Sequence, residues 1–254
     1  MVATGFNMLA VLLVTMRLTG LAASAQVLGA NMVPWRVRLA LVIAVAIVLQ
    51  PVVPAPRVGS SALEIVAASV VELLVGLAVG FTASIFFHGV RTAGQLAGIQ
   101  MGLGFSALVD PTFGEQTTVM ARWLGLAAWM VVIGFDGHHV LLRGLAESFA
   151  WVPAGGAGTA LGRAVMAIPA AGAQLFVTAV VVAAPAVMIV LLLNVGMALL
   201  ARAAPQLHIL VIGFIFTITI GICTVAFSLT GMAGVFRDGY LRMAQYALSF
   251  CRPV

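Results

Sequence analysis

The sequence contains no lysine and very little charge of either sign. All 12 of its cationic side chains are arginines, and charged residues make up only 7% of the chain, against about 25% in a typical globular domain. A soluble fold is excluded, because too few charges are present to solvate its surface. The absence of lysine also excludes Schiff-base chemistry, a Walker phosphate clamp and lysine general bases.

Cysteines and catalytic clusters are equally sparse. The two cysteines, Cys223 and Cys251, lack metal-ligand spacing and give no disulfide framework. No serine has a paired histidine and acid in recognisable order, and no His-Glu-x-x-His motif is present. The adjacent His138 and His139 would point about 100° apart on a helix, which is unsuited to joint metal binding. We therefore expect no catalytic centre, no metal site and no cofactor.

The net charge of +5 does not form a basic patch. The arginines lie singly between apolar runs, as charges that flank membrane segments do, so the sequence predicts no nucleic-acid binding. No cation precedes Arg17, so the first apolar run lacks the cationic start of a signal peptide and is expected to remain as a membrane segment. The arginines divide almost evenly between the two sides of a six-span arrangement, so the positive-inside rule assigns no orientation.

Long apolar runs are what the chain has in abundance, since 63% of its residues are hydrophobic. A membrane-spanning helix needs about 20 such residues. The sequence thus predicts an all-α, polytopic membrane protein with spans at residues 6–33, 39–53, 62–87, 119–135, 164–201 and 208–235. The fifth run is too long for one crossing, and Pro169 and Pro185 are predicted to break or kink it. Connections are predicted at 88–118 and 136–163, and an amphipathic tail after residue 235.

Four charged residues fall inside these runs: Glu64 and Arg122 lie near the start of a run, whereas Arg17 and Glu72 lie deeper. Arg17 would cost at least about 2.5–3.5 kcal/mol at mid-membrane, so it either faces a partner or snorkels from a helix that starts after it. Glu72 serves either as a proton-relay carboxylate or as a contact between helices. The contact is favoured, because Glu72 begins a series at spacing four whose small residues let helices pack closely: Glu72, Gly76, Gly80 and Ser84.

A second series of small residues at the same spacing predicts another closely packed helix. It consists of Gly94, Gly98 and Gly102, and it is interleaved with glutamines. Soon after it, residues 110–114 have the composition of a turn and would place irregular backbone deep in an apolar protein. Such backbone is tolerated only where protein or a water-filled cavity surrounds it.

Taken in order, these segments resemble the FliR family of flagellar biosynthesis proteins, which also includes the T subunits of virulence injectisomes. The matching segments are ELLVGLAVGF at 72–81, GQLAGIQMGLGFSALVDP at 94–111, Gly137 and His138 followed by residues 147–149 and Pro153, and RAAPQL at 202–207. Arg17, Pro34 and Arg38 also match, and the resemblance covers about residues 6–235. The chain departs from the family pattern at His208, Ile215 and Thr217.

The resemblance implies a non-enzymatic core subunit of the type III protein export gate, in the bacterial inner membrane at the flagellar basal body. Such a subunit assembles with FliP and FliQ, is contacted by FlhB and passes unfolded export substrates, so a hetero-oligomer that also meets membrane lipid is expected. The implied fold consists of long, kinked helical hairpins around a central channel that a glycine-rich plug loop closes. The plug residues carried to this chain are Gly102, Phe105, Asp110, Pro111 and Phe113.

The other matched residues are assigned to helix packing and assembly. They are Arg17, Glu72, Gly76, Gly80, Gly94, Gly98, Gly137, His138, Arg202, Pro205 and Gln206. A single export-gate domain is expected over residues 1–254, with N-terminal helices at 1–101, the plug loop at 102–117, C-terminal helices at 118–235 and the tail at 236–254.

Two alternatives stay open at this point. A polytopic secondary transporter would use Glu72, Arg17 or Asp110 as an ion or proton site, and it predicts inverted internal repeats, which the sequence does not show. An intramembrane enzyme predicts a paired nucleophile and base. Within the export family, the sequence leaves open whether the apparatus is flagellar or an injectisome.

Overall fold

The computed structural model describes residues 8–25, 34–56, 58–59, 61–104, 117–203 and 209–252, and within these ranges it is helical without any strand. The helices are α1 (Met8–Ser24), α2 (Trp35–Leu49), α3 (Ala62–Gln100), α4 (Val119–Gly134), α5 (Gly137–Trp151), α6 (Gly158–Ala203) and α7 (Ile209–Ser249), with a 3₁₀ turn at Gln50–Val52. The all-α, polytopic fold class predicted from the sequence is confirmed.

Three of the described helices, α3, α6 and α7, are long and apolar enough to cross a membrane. The helices α4 and α5 form a fourth candidate span if the pair acts as one, although the chain bends by 63° between them. The 46 residues of α6 make a rod of about 69 Å at about 1.5 Å per residue, more than twice a hydrocarbon core of about 30 Å. Unless it is strongly tilted, part of α6 must therefore meet water or other protein.

Several predicted boundaries are wrong, each because a helix continues where the sequence suggested a break. The connection predicted at 88–118 is helical as far as Gln100, and the one predicted at 136–163 contains all of α5. Pro169 and Pro185 lie within an uninterrupted α6. A proline costs a helix about 3 kcal/mol, but ending the helix in apolar surroundings would leave more backbone groups without partners.

The last predicted span and most of the predicted tail form one helix. The helix α7 continues past residue 235 and ends at Ser249, so residues 236–249 are not a separate amphipathic helix. The first predicted span is helical over α1, and its residues 26–33 lie outside the described residues. Residues 105–116 and 204–208, which include most of the predicted plug loop, lie outside them as well.

The chain divides into two compact units. Unit 1 consists of Met1–Phe86, Val132–Ala173 and Gly239–Val254, and unit 2 consists of Phe87–Val131 and Gln174–Asp238. The single export-gate domain, and its division after residues 101, 117 and 235, stay predictions from the sequence. The apolar core of unit 1 draws on α1, α2, α3, α5, α6 and the end of α7, through residues such as Leu13, Leu21, Val42, Val79, Phe149, Ala164 and Leu248.

In unit 1, α1 packs against α3 with backbone close to backbone. Gly20 of α1 faces the main chain of α3, and Gly76 of α3 faces the carbonyl of Arg17. A Cβ atom on Gly76 would lie 3.0 Å from the amide nitrogen of Leu21 and closer still to that carbonyl, and one on Gly80 would lie 2.7 Å from the Leu21 carbonyl oxygen. Main-chain atoms cannot move aside as side-chain ends can, so the approach of α1 to α3 requires glycine.

Replacing Gly76 by alanine is expected to lower the free energy of unfolding by about 1–3 kcal/mol, because the new methyl group forces α1 away from α3. Gly196→Ala is the matched control, since Gly196 lies in α6 with no atom within 4 Å of the position of a Cβ. That control should be neutral or stabilising by up to about 1 kcal/mol. Unfolding of the purified protein by sodium dodecyl sulfate, followed by tryptophan fluorescence, measures both. Equal effects would contradict the close packing.

Candidate functional site

Arg17 is fully buried in unit 1, where its guanidinium group meets three acceptors. Its Nε donates to Glu72 Oε2 at 2.5 Å, Nη1 to the Ser148 hydroxyl oxygen at 3.0 Å, and Nη2 to the Val152 carbonyl oxygen at 3.3 Å. The guanidinium carbon lies 4.0 Å from the centre of the Phe149 ring. These contacts join α1 to α3, to α5 and to the turn that follows α5.

The groups around Arg17 are themselves held in place. The second carboxylate oxygen of Glu72 accepts the Gly155 N–H at 2.8 Å, and the Ser148 hydroxyl donates to the Leu145 carbonyl oxygen at 2.6 Å. Gly155 has a φ of 89°, a conformation that glycine adopts readily. The turn between α5 and α6 is therefore attached to the ion pair twice, through the Val152 carbonyl and the Gly155 amide.

This network decides between the alternatives that the sequence left open for Arg17 and Glu72. Arg17 lies inside α1, which begins at Met8, so snorkelling from a helix that starts after it is wrong. Both carboxylate oxygens of Glu72 are engaged, which favours the contact between helices over a proton relay. A buried charge without its partner is strongly destabilising, so the packing of α1 depends on this pair.

Cys251 lies beside the network, just after the end of α7. It is fully buried, and its surroundings include Ser148, Arg17 and Glu72. Burial raises the pKa of the Cys251 thiol, and this outweighs the opposite effect of the Arg17 charge. The thiol therefore stays protonated at neutral pH and packs as a small apolar group.

In unit 2, the end of α3 and the start of α4 are fastened together through Thr118. The Thr118 N–H donates to Gln95 Oε1 at 2.8 Å, and its hydroxyl donates to the Gly94 carbonyl oxygen at 3.3 Å. The same hydroxyl oxygen accepts the Ala121 N–H at 3.3 Å, which caps α4. A Cβ atom added to Gly94 would lie 2.5 Å from Ala121 Cα, and one added to Gly98 would lie 2.5 Å from Thr118 Oγ1.

Gly102 ends α3 in a left-handed conformation with a φ of 82°. Its N–H donates to the Ile99 carbonyl oxygen at 3.0 Å, and the Leu103 N–H donates to the Gly98 carbonyl oxygen at 2.9 Å. This pair of bonds is the Schellman arrangement that closes a helix at a glycine. A Cβ atom on Gly102 would also lie 2.6 Å from the Phe214 ring. The other predicted plug residues, Phe105, Asp110, Pro111 and Phe113, lie outside the described residues.

The bend between α4 and α5 is held by Tyr240 of α7. Its hydroxyl donates to the Gly137 carbonyl oxygen at 3.0 Å, and its buried ring makes edge contacts with Phe86 and Phe135. A Cβ atom on Gly137 would lie 2.9 Å from the Tyr240 ring. Asp136 at the bend has a φ of 57°, a region that aspartate enters more often than most residues.

Three residues at this bend offer ligand atoms that lie within 4.8 Å of one another, namely Asp136, His138 and His139. The two imidazole rings have centres 4.1 Å apart and planes tilted by 36°, so the prediction that the two side chains diverge by about 100° is wrong. His139 Nδ1 lies 3.4 Å from Asp136 Oδ1. The group occupies the first turn of α5, where the helix dipole opposes a cation. The three side chains form a largely exposed polar group at the bend.

The predicted site residues thus fall into separate groups. The residues Arg17, Glu72, Gly76 and Gly80 come together in unit 1. The α3–α4 contact contains Gly94 and Gly98, the bend contains Gly137 and His138, and the exposed Arg202 lies in the last turn of α6. Pro205 and Gln206 lie outside the described residues.

Four residues with clear structural roles were not predicted as site residues: Thr118, Ser148, Gly155 and Tyr240. Thr118 stands directly before an apolar run, and this helix N-cap signal could have identified it. The other three bond to residues between 83 and 131 positions away along the chain, so no local spacing marks them.

Comparison with known proteins gives a consistent result. Residues 8–243 match the family described as bacterial export proteins, family 1. The chain is 36% identical over 211 residues to the flagellar biosynthetic protein FliR of Escherichia coli (strain K12), covering 83% of this chain and 80% of that protein. It is 32% identical to the FliR of Pectobacterium carotovorum over 82% and 79% of the two chains, and 27% identical to that of Caulobacter vibrioides over 94% and 95%.

Removing either charge of the buried pair is expected to cost about 3–5 kcal/mol of unfolding free energy, because the other charge is left buried and unpaired. Arg17→Met and Glu72→Met are the single variants, and the double variant should lose less than the sum of the two. Glu64→Gln, an exposed carboxylate on the same helix, is the control and should change stability little. Additive losses in the sodium dodecyl sulfate titration would show that the two side chains do not depend on each other.

Proposed function

The chain belongs to family 1 of the bacterial export proteins, which confirms the resemblance predicted from its sequence, and we propose that it is a core subunit of the flagellar type III export gate. It is a membrane protein of flagellar protein export. In our proposal it assembles with FliP and FliQ into the channel for unfolded flagellar proteins and contacts FlhB. Its location is the bacterial inner membrane, at the flagellar basal body.

The exposed surfaces of α6 and α7 support a role within an assembly. Large apolar side chains are exposed on both helices, for example Phe176 at 69%, Leu192 at 67% and Phe227 at 88%. Surfaces of this kind on a folded protein are covered by lipid or by a partner. Because α6 is longer than a bilayer core is thick, lipid alone does not account for its whole length.

The anchoring of the segment between α3 and α4 is the observation that carries the plug proposal. The Schellman turn at Gly102 ends α3, and Thr118 starts α4 while its amide and hydroxyl bond to α3. The connecting segment is thus fastened at both ends to one closely packed helix pair. In our proposal, the segment between these two fixed ends closes the channel until a substrate displaces it.

The role that we propose is mechanical rather than catalytic. Glycine positions set how closely the helices approach, and the buried ion pair sets which helices meet. A secondary transporter with its ion site at Glu72 or Arg17 is less well supported, because these two side chains already satisfy each other and their neighbours.

Co-expression with FliP and FliQ tests the proposed assembly. A tagged chain purified in mild detergent should carry both proteins with it in fixed proportion, at a single elution volume. The same tag on an unrelated membrane protein of similar size is the control. Recovery of this chain alone, or as a homo-oligomer, would overturn the proposal.

Replacing Phe105 and Phe113 by glycine tests the proposed plug, since large apolar side chains are the groups that would seal a channel. The complex that contains the variant is expected to conduct ions in a planar bilayer several times better than the unaltered complex. Phe176→Gly, at an exposed position of α6, controls for loss of a phenylalanine elsewhere. If conductance does not change while the complex stays intact, the segment is not a plug.

A further inference from the structure

The bend between α4 and α5 brings together three side chains that can bind a metal ion. They are the carboxylate of Asp136, in the turn, and the imidazoles of His138 and His139, in the first turn of α5. Their ligand atoms all lie within 4.8 Å of one another. Adjacent side chains on a regular helix diverge too far to share an ion, but these two ring centres lie 4.1 Å apart. Both imidazoles and the carboxylate can therefore reach the same ion.

The spacing of the ligand atoms fits an ion of the size of zinc. His139 Nδ1 lies 3.4 Å from Asp136 Oδ1, which exceeds the usual hydrogen-bond length of about 2.7–3.2 Å. Two ligands of a tetrahedral Zn²⁺, each about 2.0–2.2 Å from the ion, stand about 3.4 Å apart. The ligand atom of His138 lies within 4.8 Å of both, so a rotation of its side chain brings it to the ion. The exposure of the group leaves the fourth position to water.

The backbone that carries the three ligands is held in place without an ion. The buried Tyr240 hydroxyl donates to the carbonyl oxygen of Gly137, which lies between the ligands in sequence. The Asp136 carbonyl oxygen accepts the His139 N–H at 2.9 Å and so holds the turn to α5. Asp136 is the N-cap of α5, where an aspartate usually bonds to the helix, yet its side chain makes no capping hydrogen bond. Its carboxylate is therefore available to an ion at little cost in ordering.

The local charges and ligand types favour a transition-metal cation. The dipole at the start of α5 and the exposed Arg143, one turn after His139, both oppose a cation. Water screens both effects, because 57% of the His139 side chain and 73% of the Asp136 side chain are exposed. The Asp136 carboxylate adds a negative charge at the site itself. Imidazole nitrogens suit Zn²⁺, whereas Mg²⁺ and Ca²⁺ require more oxygen ligands than one carboxylate provides.

We propose that Asp136, His138 and His139 bind one Zn²⁺ ion, with water as the fourth ligand. The ion joins the turn to the first turn of α5 and stabilises the left-handed conformation of Asp136, which has a φ of 57°. It thereby fixes the direction in which α5 leaves the bend. The site does not depend on the export role, because all three ligands come from one short segment of this chain.

A zinc titration of the full-length protein in detergent tests this site. The protein is purified through a tag without histidines, and a coloured chelator competes for the ion. One Zn²⁺ per chain is expected, and Mg²⁺ should not displace it. Asp136→Asn, His138→Gln and His139→Gln should each weaken binding at least about tenfold, since even the loss of an outer partner of a metal ligand costs that much. If the chain holds no zinc, or if the variants hold it equally well, the proposal is wrong.

Two control variants address other residues that could hold zinc. His88→Gln removes a half-buried histidine of α3, and Cys223→Ser removes an exposed thiol of α7. Both variants should bind zinc as the unaltered chain does. Loss of binding in either one would place the ion elsewhere and overturn the proposal.

A measurement of stability separates binding at the bend from misfolding of the variants. Asparagine enters the left-handed region as aspartate does, so Asp136→Asn keeps the backbone of the turn. Saturating zinc should raise the concentration of sodium dodecyl sulfate that unfolds the unaltered chain, because the ion binds only the folded bend. The same addition should leave Asp136→Asn unchanged. A shift of equal size in both proteins, or no shift in the unaltered chain, would contradict the assignment.

Discussion

A single buried arginine governs the arrangement of unit 1. The guanidinium of Arg17 can be buried only where Glu72, Ser148 and the turn after α5 surround it. It reaches Glu72 because α1 and α3 lie almost in backbone contact, and that approach depends on Gly20 and Gly76, the latter one helical turn beyond Glu72. Charge and close packing are thus two parts of one constraint, since neither is achieved without the other.

In unit 2, close helix packing is again combined with polar contacts, but the polar residue at the contact, Thr118, is uncharged. Gly94 and Gly98 let α4 approach α3, and Thr118 then completes the contact with hydrogen bonds to both helices. In apolar surroundings, burial of apolar surface gives helices little reason to associate, so small residues and hydrogen bonds between helices have to supply the stability. This requirement accounts for the glycines that face the main chain of another helix, such as Gly20, Gly76 and Gly94.

The parts of the structure that could be predicted are those with local signals. Composition alone indicates an all-α membrane protein, and the spacing of Gly76 and Gly80 indicates a helix face that packs closely. Helix ends were predicted less well, because rules derived in water overestimate how readily Pro169 or Pro185 ends a helix among apolar neighbours. The acceptors of Arg17 were not predictable, since Ser148 lies 131 residues away and neither residue signals its partner.

The separation in sequence between these partners has a consequence for synthesis. Arg17 is translated before both of its partners, since Glu72 follows 55 residues later and Ser148 follows 131 residues later. Until then, placing the charged Arg17 side chain at the bilayer centre costs at least about 2.5–3.5 kcal/mol of free energy. The surroundings of Arg17 are therefore complete only after α5 has been translated. Before α5 has been translated, α1 is accordingly more stable at a protein or water boundary than at the bilayer centre.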